Sequence, residues 1–343
     1  MITNTLSRFI RTTWLLSATS QLELPENSVW VRRISAGECS ALVEQTRKRN
    51  VFARHSWENS FYLKRVGQLQ DSTVVEVFRS GSLDQVLPIA RSLAELVEKV
   101  AVISSALGLR RQRTHQLVAL SRHRRYGFDL AISPGFRYLH SSQRQEAQPR
   151  GIPVDGTFVR RFNRCGFPVL VAMGASGGDI GRRLEQGVNW LFESRLETSK
   201  HAAVVKTAIA LESLLIASDT ERLRGPLSER TAFILSDDPV RRQRIAKNVK
   251  AFYDLRSSIV HGGRRRAPSQ SETLLEGIDR LVILLLLTIS SNAGAWASFD
   301  RIVEEVDARK WGAGEKPIQR PFPGSHLSRA MQLCEAKVTG SAA

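Results

Sequence analysis

The chain has 343 residues, of which 42% are hydrophobic, so it is long enough and apolar enough to form two folded domains. Lysine and arginine number 50 against 33 aspartate and glutamate residues, and the formal charge of +17 predicts an anionic partner, with nucleic acid foremost. Cys39, Cys165 and Cys334 have no paired spacing, which excludes a zinc ribbon, a redox CxxC motif and a disulfide-rich secreted scaffold. This cysteine usage predicts a reducing, cytoplasmic compartment.

The apolar segments are too short for a membrane protein. The longest run, Leu281–Leu287, is well below the roughly 20 residues that span a bilayer. The apolar stretch Trp14–Leu16 is too short for a signal peptide. We therefore expect no membrane insertion.

Residues 1–178 are predicted to form a mixed α/β or β-rich domain that senses a signal or binds RNA. Runs of β-branched and aromatic residues predict short strands at 28–31, 61–63 and 73–78. Apolar residues at three- and four-residue steps predict an amphipathic helix over residues 82–107, with Pro88 inside it. Further along, the apolar run Phe167–Met173 predicts a buried strand, and the glycine-rich segment 174–178 predicts a hinge.

Residues 110–150 are the densest positive stretch, with nine arginines against only Asp129 and Glu146. Aromatic residues and histidines lie between the arginines, a mixture typical of nucleic-acid surfaces, where guanidinium groups contact phosphates and rings stack on bases. Arg124 and Arg125 are candidate RNA contacts in this stretch. The alternative is a compositional bias, because arginine outnumbers lysine 40 to 10 in the whole chain.

After Asp179 the pattern is helical and no strand pattern follows. Five amphipathic segments predict a compact all-α bundle over residues 179–310, and they lie near 184–192, 204–215, 226–235, 239–261 and 271–291. The tail, residues 311–343, is rich in proline and small residues and is predicted to be extended or partly disordered. The predicted fold class is therefore α+β.

Two charged residues lie on the apolar faces of predicted helices. Arg256 falls about 40° from Phe252 on a helical wheel, inside the apolar stripe of the fourth helix. Glu212 lies among the core-facing residues of the second helix. Because an isolated buried charge is costly, we expect the two to pair. The alternative to a functional role is a purely structural ion pair.

His261 lies at the end of the helix that carries Arg256, next to two glycines. Five helical residues rotate the side chain by about 140°, so Arg256 and His261 do not share one face. Convergence of the two needs a distorted last turn or a second subunit. The alternative role for His261 is an interaction with the helix dipole.

Three segments of this half resemble HEPN domains of the Apea-like branch. Arg256–His261 fits the Arg-x4-His motif, and Tyr253 and Gly262 fit its flanks. The segment Ala210–Leu215 is similar to the branch's Ala-Leu-Glu-x-Leu-Leu helix, and Glu229–Leu235 is similar to its Arg-x-Ala-x-Leu-Leu-like segment. The resemblance covers about residues 180–295 and does not extend to the first half.

The resemblance implies a metal-independent endoribonuclease, of the kind found among bacterial toxins and antiphage effectors, with a composite cleft in a homodimer. It implies that Arg256 and His261 are catalytic and need no cofactor or metal. A set of supporting residues is implied beside them: Glu212, Tyr253 and Ser257. Many HEPN ribonucleases carry Asn, Asp or His at the position of Ser257, so this chain departs from that pattern.

The chemistry suits the residues. Attack of the 2′-hydroxyl on the adjacent phosphate needs proton transfer near neutral pH, which a histidine can provide, and a fixed positive charge, which an arginine can provide. Arg264, Arg265 and Arg266 follow the glycines and are candidate contacts to the RNA backbone; the alternative is a solvated charge run.

Two other functions stay open. One is a non-catalytic RNA- or nucleotide-binding dimeric scaffold or sensor. The other is a sequence-specific DNA-binding regulator, which is less favoured because no helix-turn-helix pattern stands out among the basic segments. In the ribonuclease hypothesis, a partner of unknown identity triggers or restrains the activity.

Overall fold

The computed structural model describes residues 5–6, 8–12, 16–24, 28–48, 72–79, 81–110, 124–132, 139–147, 151–217, 223–262, 268–313 and 317–336. The chain divides into two compact units, one made of Met1–Ala101 with Gln116–Arg161 and the other of Val102–His115 with Phe162–Ala343. The first unit is built around an antiparallel sheet and the second is helical. The chain is therefore an α+β protein, as the sequence predicts.

In chain order, the strands of the first unit are β1 (Thr5–Leu6), β2 (Arg8–Thr12), β3 (Leu16–Ala18), β4 (Leu22–Leu24), β5 (Val29–Arg33), β6 (Thr73–Val77), β7 (Gly81–Ser82), β8 (Arg124–Ile132), β9 (Leu139–Ala147) and β10 (Ile152–Val154). Six of them form a sheet in the order β4-β5-β6-β2-β8-β9, in which every neighbouring pair is antiparallel. Strand β1 pairs with β7, and β3 pairs in parallel with β10. The predicted strands at 28–31 and 73–78 are confirmed, and that at 61–63 lies outside the described residues.

Two helices contact the sheet of the first unit, α1 (Ala36–Lys48) and α2 (Leu83–Ser104), and a 3-10 turn continues α2 to Leu107. The amphipathic helix predicted over 82–107 is thus confirmed. Arg8 and Arg11 on β2 are three positions apart and point to opposite faces of the sheet. Arg8 pairs with Glu38 of α1 at 3.0 Å, and Arg11 pairs with Glu95 of α2 at 2.8 Å.

The remaining helices are α3 (Gly156–Arg164), α4 (Phe167–Gly174), α5 (Asp179–Leu196), α6 (Lys200–Leu215), α7 (Arg224–Leu235), α8 (Pro239–Val260), α9 (Pro268–Ser291), α10 (Phe299–Lys310) and α11 (Gly324–Glu335). The five helices predicted after Asp179 are α5 to α9, and all five are confirmed. Helix α9 is buried along Leu281–Leu287 and contacts α4 to α8 and α11, so it forms the centre of the helical unit. None of the helices in the described ranges combines the length and hydropathy needed to cross a bilayer.

The strand predicted at Phe167–Met173 is wrong, because these residues form helix α4. A short continuous apolar run does not distinguish a buried strand from a buried helix. Pro168 lies in the first turn of α4, where a missing amide hydrogen costs nothing, and α4 packs against α5 and α9. Helix α4 consequently belongs to the helical unit, whose longer segment begins at Phe162.

The tail is also more ordered than the sequence predicts, because it contains α11. This helix buries Leu327, Ala330 and Met331, which are spaced as one helical face, against α9. The contact is close: a Cβ atom placed on Gly277 of α9 would lie 2.7 Å from the amide nitrogen of Cys334. The prolines mark the segment before α11, not the whole tail.

A buried polar network joins three helices of the helical unit. Arg195 of α5 and Asp279 of α9 are fully buried, and their charged groups lie 3.2 Å apart. The Thr207 hydroxyl of α6 donates to Asp279 at 2.9 Å and lies 2.7 Å from the Ser194 hydroxyl. The network therefore fixes α5, α6 and α9 relative to one another.

Candidate functional site

Helix α8, which carries the Arg-x4-His residues, has a defined start and end. Asp238 caps its first turn, because the Asp238 carboxylate accepts a hydrogen bond from the Arg241 amide at 2.6 Å. At the other end the His261 amide donates to the Ser257 carbonyl at 3.0 Å. Gly262 then takes a φ of +69°, a conformation that glycine adopts without strain. The helix therefore ends at Val260, and its hydrogen-bond pattern includes the His261 amide, while His261 itself has φ −100° and ψ 12°.

Glu212 of α6 meets two side chains of α8. The Tyr253 hydroxyl donates a hydrogen bond to Glu212 Oε1, and Arg256 Nη2 lies 3.9 Å from the same oxygen. The Arg256 guanidinium also lies 5.9 Å from the centroid of the Tyr253 ring. The pairing of Arg256 with Glu212 is thus present, and Tyr253 completes a three-residue cluster, which we call the Glu212 cluster.

The Glu212 cluster lies at the edge of the core. Tyr253 is buried, whereas the side chains of Arg256 and Glu212 are 24% and 21% exposed. Burial and the hydrogen bond to the Glu212 carboxylate raise the pKa of Tyr253, so the phenol stays protonated and acts as a donor. Part of each charged side chain is accordingly accessible to solvent.

Arg256 keeps unused hydrogen-bonding capacity. The distance of 3.9 Å to Glu212 is an ion-pair distance and is longer than a hydrogen bond. Its Nε is buried and has no hydrogen-bond partner within the described ranges. A guanidinium held by charge but with donors to spare is suited to binding an anion that enters from solvent.

His261 and Ser257 are exposed and lie one turn apart on the outer face of α8. His261 is about 140° around the helix from Arg256 and about 7.5 Å further along its axis. The helical rotation from Arg256 therefore places the guanidinium and the imidazole of a single chain on different faces of α8.

A cleft of about 600 Å³ opens beside the Glu212 cluster, and Glu212 itself lines it. Trp190, which is 38% exposed, lies on the opposite wall together with Arg182 and Gln186 of α5. Ile209 and other residues of α6 complete the lining. The cleft therefore combines an exposed aromatic face, a cation and a carboxylate.

Sequence reasoning missed the residues that hold the end of α6, the helix that carries Glu212. Arg183 donates to the carbonyl oxygens of Ser213 and Ile216, at 3.1 and 2.9 Å, and Arg230 donates to the carbonyl of Leu215 at 2.6 Å. These arginines satisfy carbonyls that a helix end leaves without partners. All three hydrogen bonds are long-range in sequence, so no local pattern indicates them.

Both guanidiniums that hold the end of α6 stack on one ring. Those of Arg183 and Arg230 lie 4.1 and 5.4 Å from the Phe299 ring centroid. Asp179 completes the arrangement, because its carboxylate accepts a hydrogen bond from the Phe299 amide at 2.9 Å.

The structure does not describe the side chains of the other predicted RNA contacts. Arg264, Arg265 and Arg266 lie outside the described ranges. Arg124 and Arg125 are the first residues of β8 in the other unit, and only their backbone is described. In the described part of the chain, no group of three His, Cys, Asp or Glu residues is arranged to hold a metal ion.

Comparison of the chain with protein-family models, curated proteins and solved structures finds no match.

Proposed function

We propose that the helical unit is a metal-independent endoribonuclease of HEPN type, in which Arg256 binds the scissile phosphate and His261 transfers protons. The observation that carries the proposal is the pairing, exposure and hydrogen bonding of the Arg256 guanidinium. Its guanidinium is held by Glu212 at 3.9 Å, is partly exposed, and has an Nε donor without an acceptor in the described residues. A guanidinium that is held by a neighbouring carboxylate and is partly exposed can donate from its Nη groups to a phosphate that enters from solvent.

In the proposed reaction the RNA supplies its own nucleophile. The 2′-hydroxyl attacks the adjacent phosphorus, its proton passes to a base, and the 5′-oxygen of the next nucleotide leaves with a proton from an acid. The products are a 2′,3′-cyclic phosphate and a 5′-hydroxyl. Arg256 stabilises the negative charge that grows on the phosphate oxygens, and the exposed imidazole of His261 acts in proton transfer.

Tyr253, Glu212 and Ser257 have supporting roles in this proposal. The Tyr253 hydroxyl and the Arg256 guanidinium share Glu212 Oε1, so the carboxylate orients the guanidinium without using all its donors. Ser257 is exposed beside His261 and offers a hydroxyl to the substrate. The cleft beside Glu212 gives a neighbouring nucleotide room to bind, with Trp190 as a stacking surface.

The proposal includes a homodimer in which residues 253–266 of both chains lie near the two-fold axis. A symmetric pair of α8 helices that cross near their C-terminal ends brings the arginine of one chain toward the histidine of the other, and the two-fold axis produces this site twice. The resemblance further implies a toxin or antiphage role, in which the first unit and a triggering or inhibitory partner regulate cleavage in the cytoplasm.

Incubation of the purified protein with total RNA in EDTA tests this function. The expected result is fragments that end in 2′,3′-cyclic phosphate, formed by the parent protein and not by His261→Ala. Because the imidazole is exposed, His261→Ala should unfold at the same temperature as the parent. RNA that stays intact while it binds the parent protein would contradict catalysis.

The second candidate is a dimeric RNA- or nucleotide-binding scaffold. It is favoured by one observation, that Arg256 and His261 do not share a face in a single chain. For a scaffold, His261→Ala would leave RNA unchanged and binding intact, so the same experiment separates the two functions.

A further inference from the structure

The exposed face of α8 forms a single polar stripe that leads to His261. Every residue in it is exposed and lies within about 40° of His261 on a helical wheel. The stripe consists of Gln243, Lys247, Lys250, Asp254, Ser257 and His261. The two lysines are followed by one turn with a carboxylate and then by the proposed catalytic end of the helix.

A groove of about 500 Å³ runs along the first part of this stripe, and we call it the α8 groove. It is lined by the stripe from Gln243 to Asp254 and by Arg224 from the start of α7. The only acid in its lining, Asp254, is paired with Arg224 through two contacts of 2.9 and 3.0 Å. The pair is internally neutral, so Lys247 and Lys250 leave the groove with a net positive charge.

Neither Lys247 nor Lys250 forms a direct hydrogen bond or ion pair in the described part of the chain. Lys247 has only a through-space interaction with Glu335, whose carboxylate is hydrogen-bonded to Arg244 at 3.0 Å. Lysine in such a setting binds phosphate as a mobile point charge.

The separation of Lys250 and His261 fits an extended RNA strand and not a single small anion. Lys250 and His261 are eleven residues apart, so their Cα atoms lie roughly 16 Å apart along the helix axis. A single phosphate does not span that length, whereas an RNA strand places several phosphates along it. The dimer proposed above leaves the groove open, because helices that cross near their C-terminal ends diverge toward Lys247.

We propose that the α8 groove binds the sugar-phosphate backbone of the RNA substrate on one side of the scissile phosphate, with Lys247 and Lys250 each contacting a phosphate. This inference rests on the proposed function, since it assigns the approach path to the same site. Phosphate contacts of this kind position the strand and do not read its sequence.

The test measures binding in a background that does not cleave. A labelled single-stranded RNA of mixed sequence is titrated with His261→Ala protein at several salt concentrations. The double variant K247Q/K250Q in the same background is expected to bind more weakly and to lower the slope of log affinity against log salt by about 1.4, which corresponds to two lost contacts at about 0.7 each for a single strand.

A matched control removes two positive charges elsewhere in the helical unit. Lys200 and Arg301 are exposed and are paired with the exposed acids Glu272 and Glu304, and K200Q/R301Q has the same net charge as K247Q/K250Q. We expect K200Q/R301Q to keep the parent slope. An equal loss in the two double variants, an unchanged slope in K247Q/K250Q, or no RNA binding at all would overturn the inference.

Cleavage kinetics separate this inference from the proposed function. If the parent cleaves RNA, K247Q/K250Q should raise KM several-fold and leave kcat unchanged, because the lysines bind substrate before and during the reaction alike. If K247Q/K250Q cleaves RNA with an unchanged KM, the proposed role of the α8 groove is contradicted and the ribonuclease proposal is not. If the parent protein binds RNA without cutting it, and K247Q/K250Q shows the expected change in the salt slope, the ribonuclease proposal is contradicted and the proposed role of the α8 groove is not.

Discussion

At the scale of single residues, the Glu212 carboxylate holds its two partners differently. Tyr253 is buried and donates a direct hydrogen bond, while Arg256 is partly exposed and lies at ion-pair distance. Partly exposed ion pairs contribute less to stability than fully buried ones, because water screens the charges. The arginine therefore contributes to the site mainly through its free donors, and the tyrosine through fixing the carboxylate.

The first prediction concerns Arg256→Ala. We expect a loss of RNA cleavage and a fall of only about 1 kcal/mol in the free energy of unfolding, since solvent screens the Glu212 charge that is left behind. A fully buried pair would instead lose about 3–5 kcal/mol. Urea denaturation measures the difference, and Arg301→Ala, which breaks an exposed pair, is the control. A loss above 3 kcal/mol would show that the pair behaves as a buried one.

At the scale of helices, the packing of α5, α6 and α9 depends on a charge pair that is fully removed from water. Arg195 and Asp279 are both 0% exposed, and Thr207 adds a third contact. Because neither charge is solvated, each one depends on the other. Trp190, which lines the cleft, lies on α5, and Glu212 lies on α6, so this network also positions these two parts of the site.

The second prediction is that Asp279→Ala lowers the free energy of unfolding by about 3–5 kcal/mol, because Arg195 stays buried without its countercharge. Glu304→Ala, which removes an exposed partner of Arg301, should cost less than 1 kcal/mol. Replacing both charges, as in Arg195→Met with Asp279→Leu, should recover most of the loss. Thermal and urea unfolding measure all three variants, and a double variant no better than Asp279→Ala would contradict the pairing.

At the scale of the whole molecule, segments far apart in sequence are joined by charge. Asp237, between α7 and α8, accepts hydrogen bonds from Arg309 at the end of α10 at 3.2 Å and from Arg320 before α11 at 2.5 Å. The hydrogen bond from Arg320 holds the pKa of Asp237 below its ordinary value. A lowered carboxyl pKa means that the folded state favours the ionised form.

The third prediction follows from that pKa. The contribution of Asp237 to stability is complete above the ordinary pKa of about 3.9 and is lost as the pH falls through the lower pKa of the folded state. Asp237→Asn should therefore be about 1 kcal/mol less stable than the parent at pH 7 and nearly equal to it at pH 2. Unfolding midpoints measured across this range check it. A constant difference at every pH would show that the charge is not responsible.

The fourth prediction concerns assembly. Mixed heterodimers of Arg256→Ala and His261→Ala chains should recover part of the cleavage activity, because one of the two composite sites then holds an intact arginine and histidine. Each variant alone should be inactive. Differently tagged chains and tandem purification isolate the heterodimer. Inactive heterodimers, or a parent enzyme that is active as a monomer, would contradict the shared site.

The sequence by itself determined the features that depend on local periodicity. The helices α5 to α9 follow from apolar residues spaced at three and four positions, and the charged anomalies at Glu212 and Arg256 indicate that α6 and α8 meet there. Both inferences hold because a helix places its side chains by a fixed rotation per residue, whatever lies around it.

The other features of the fold and the site were decided only by the tertiary structure. Phe167–Met173 is a helix because it packs between α5 and α9, and the tail forms α11 because its apolar face meets α9 at Gly277. The exposure of Arg256, the closure of α6 by Arg183 and Arg230, and the α8 groove all arise from residues distant in sequence. Such contacts depend on how elements pack together, and no local spacing encodes that packing.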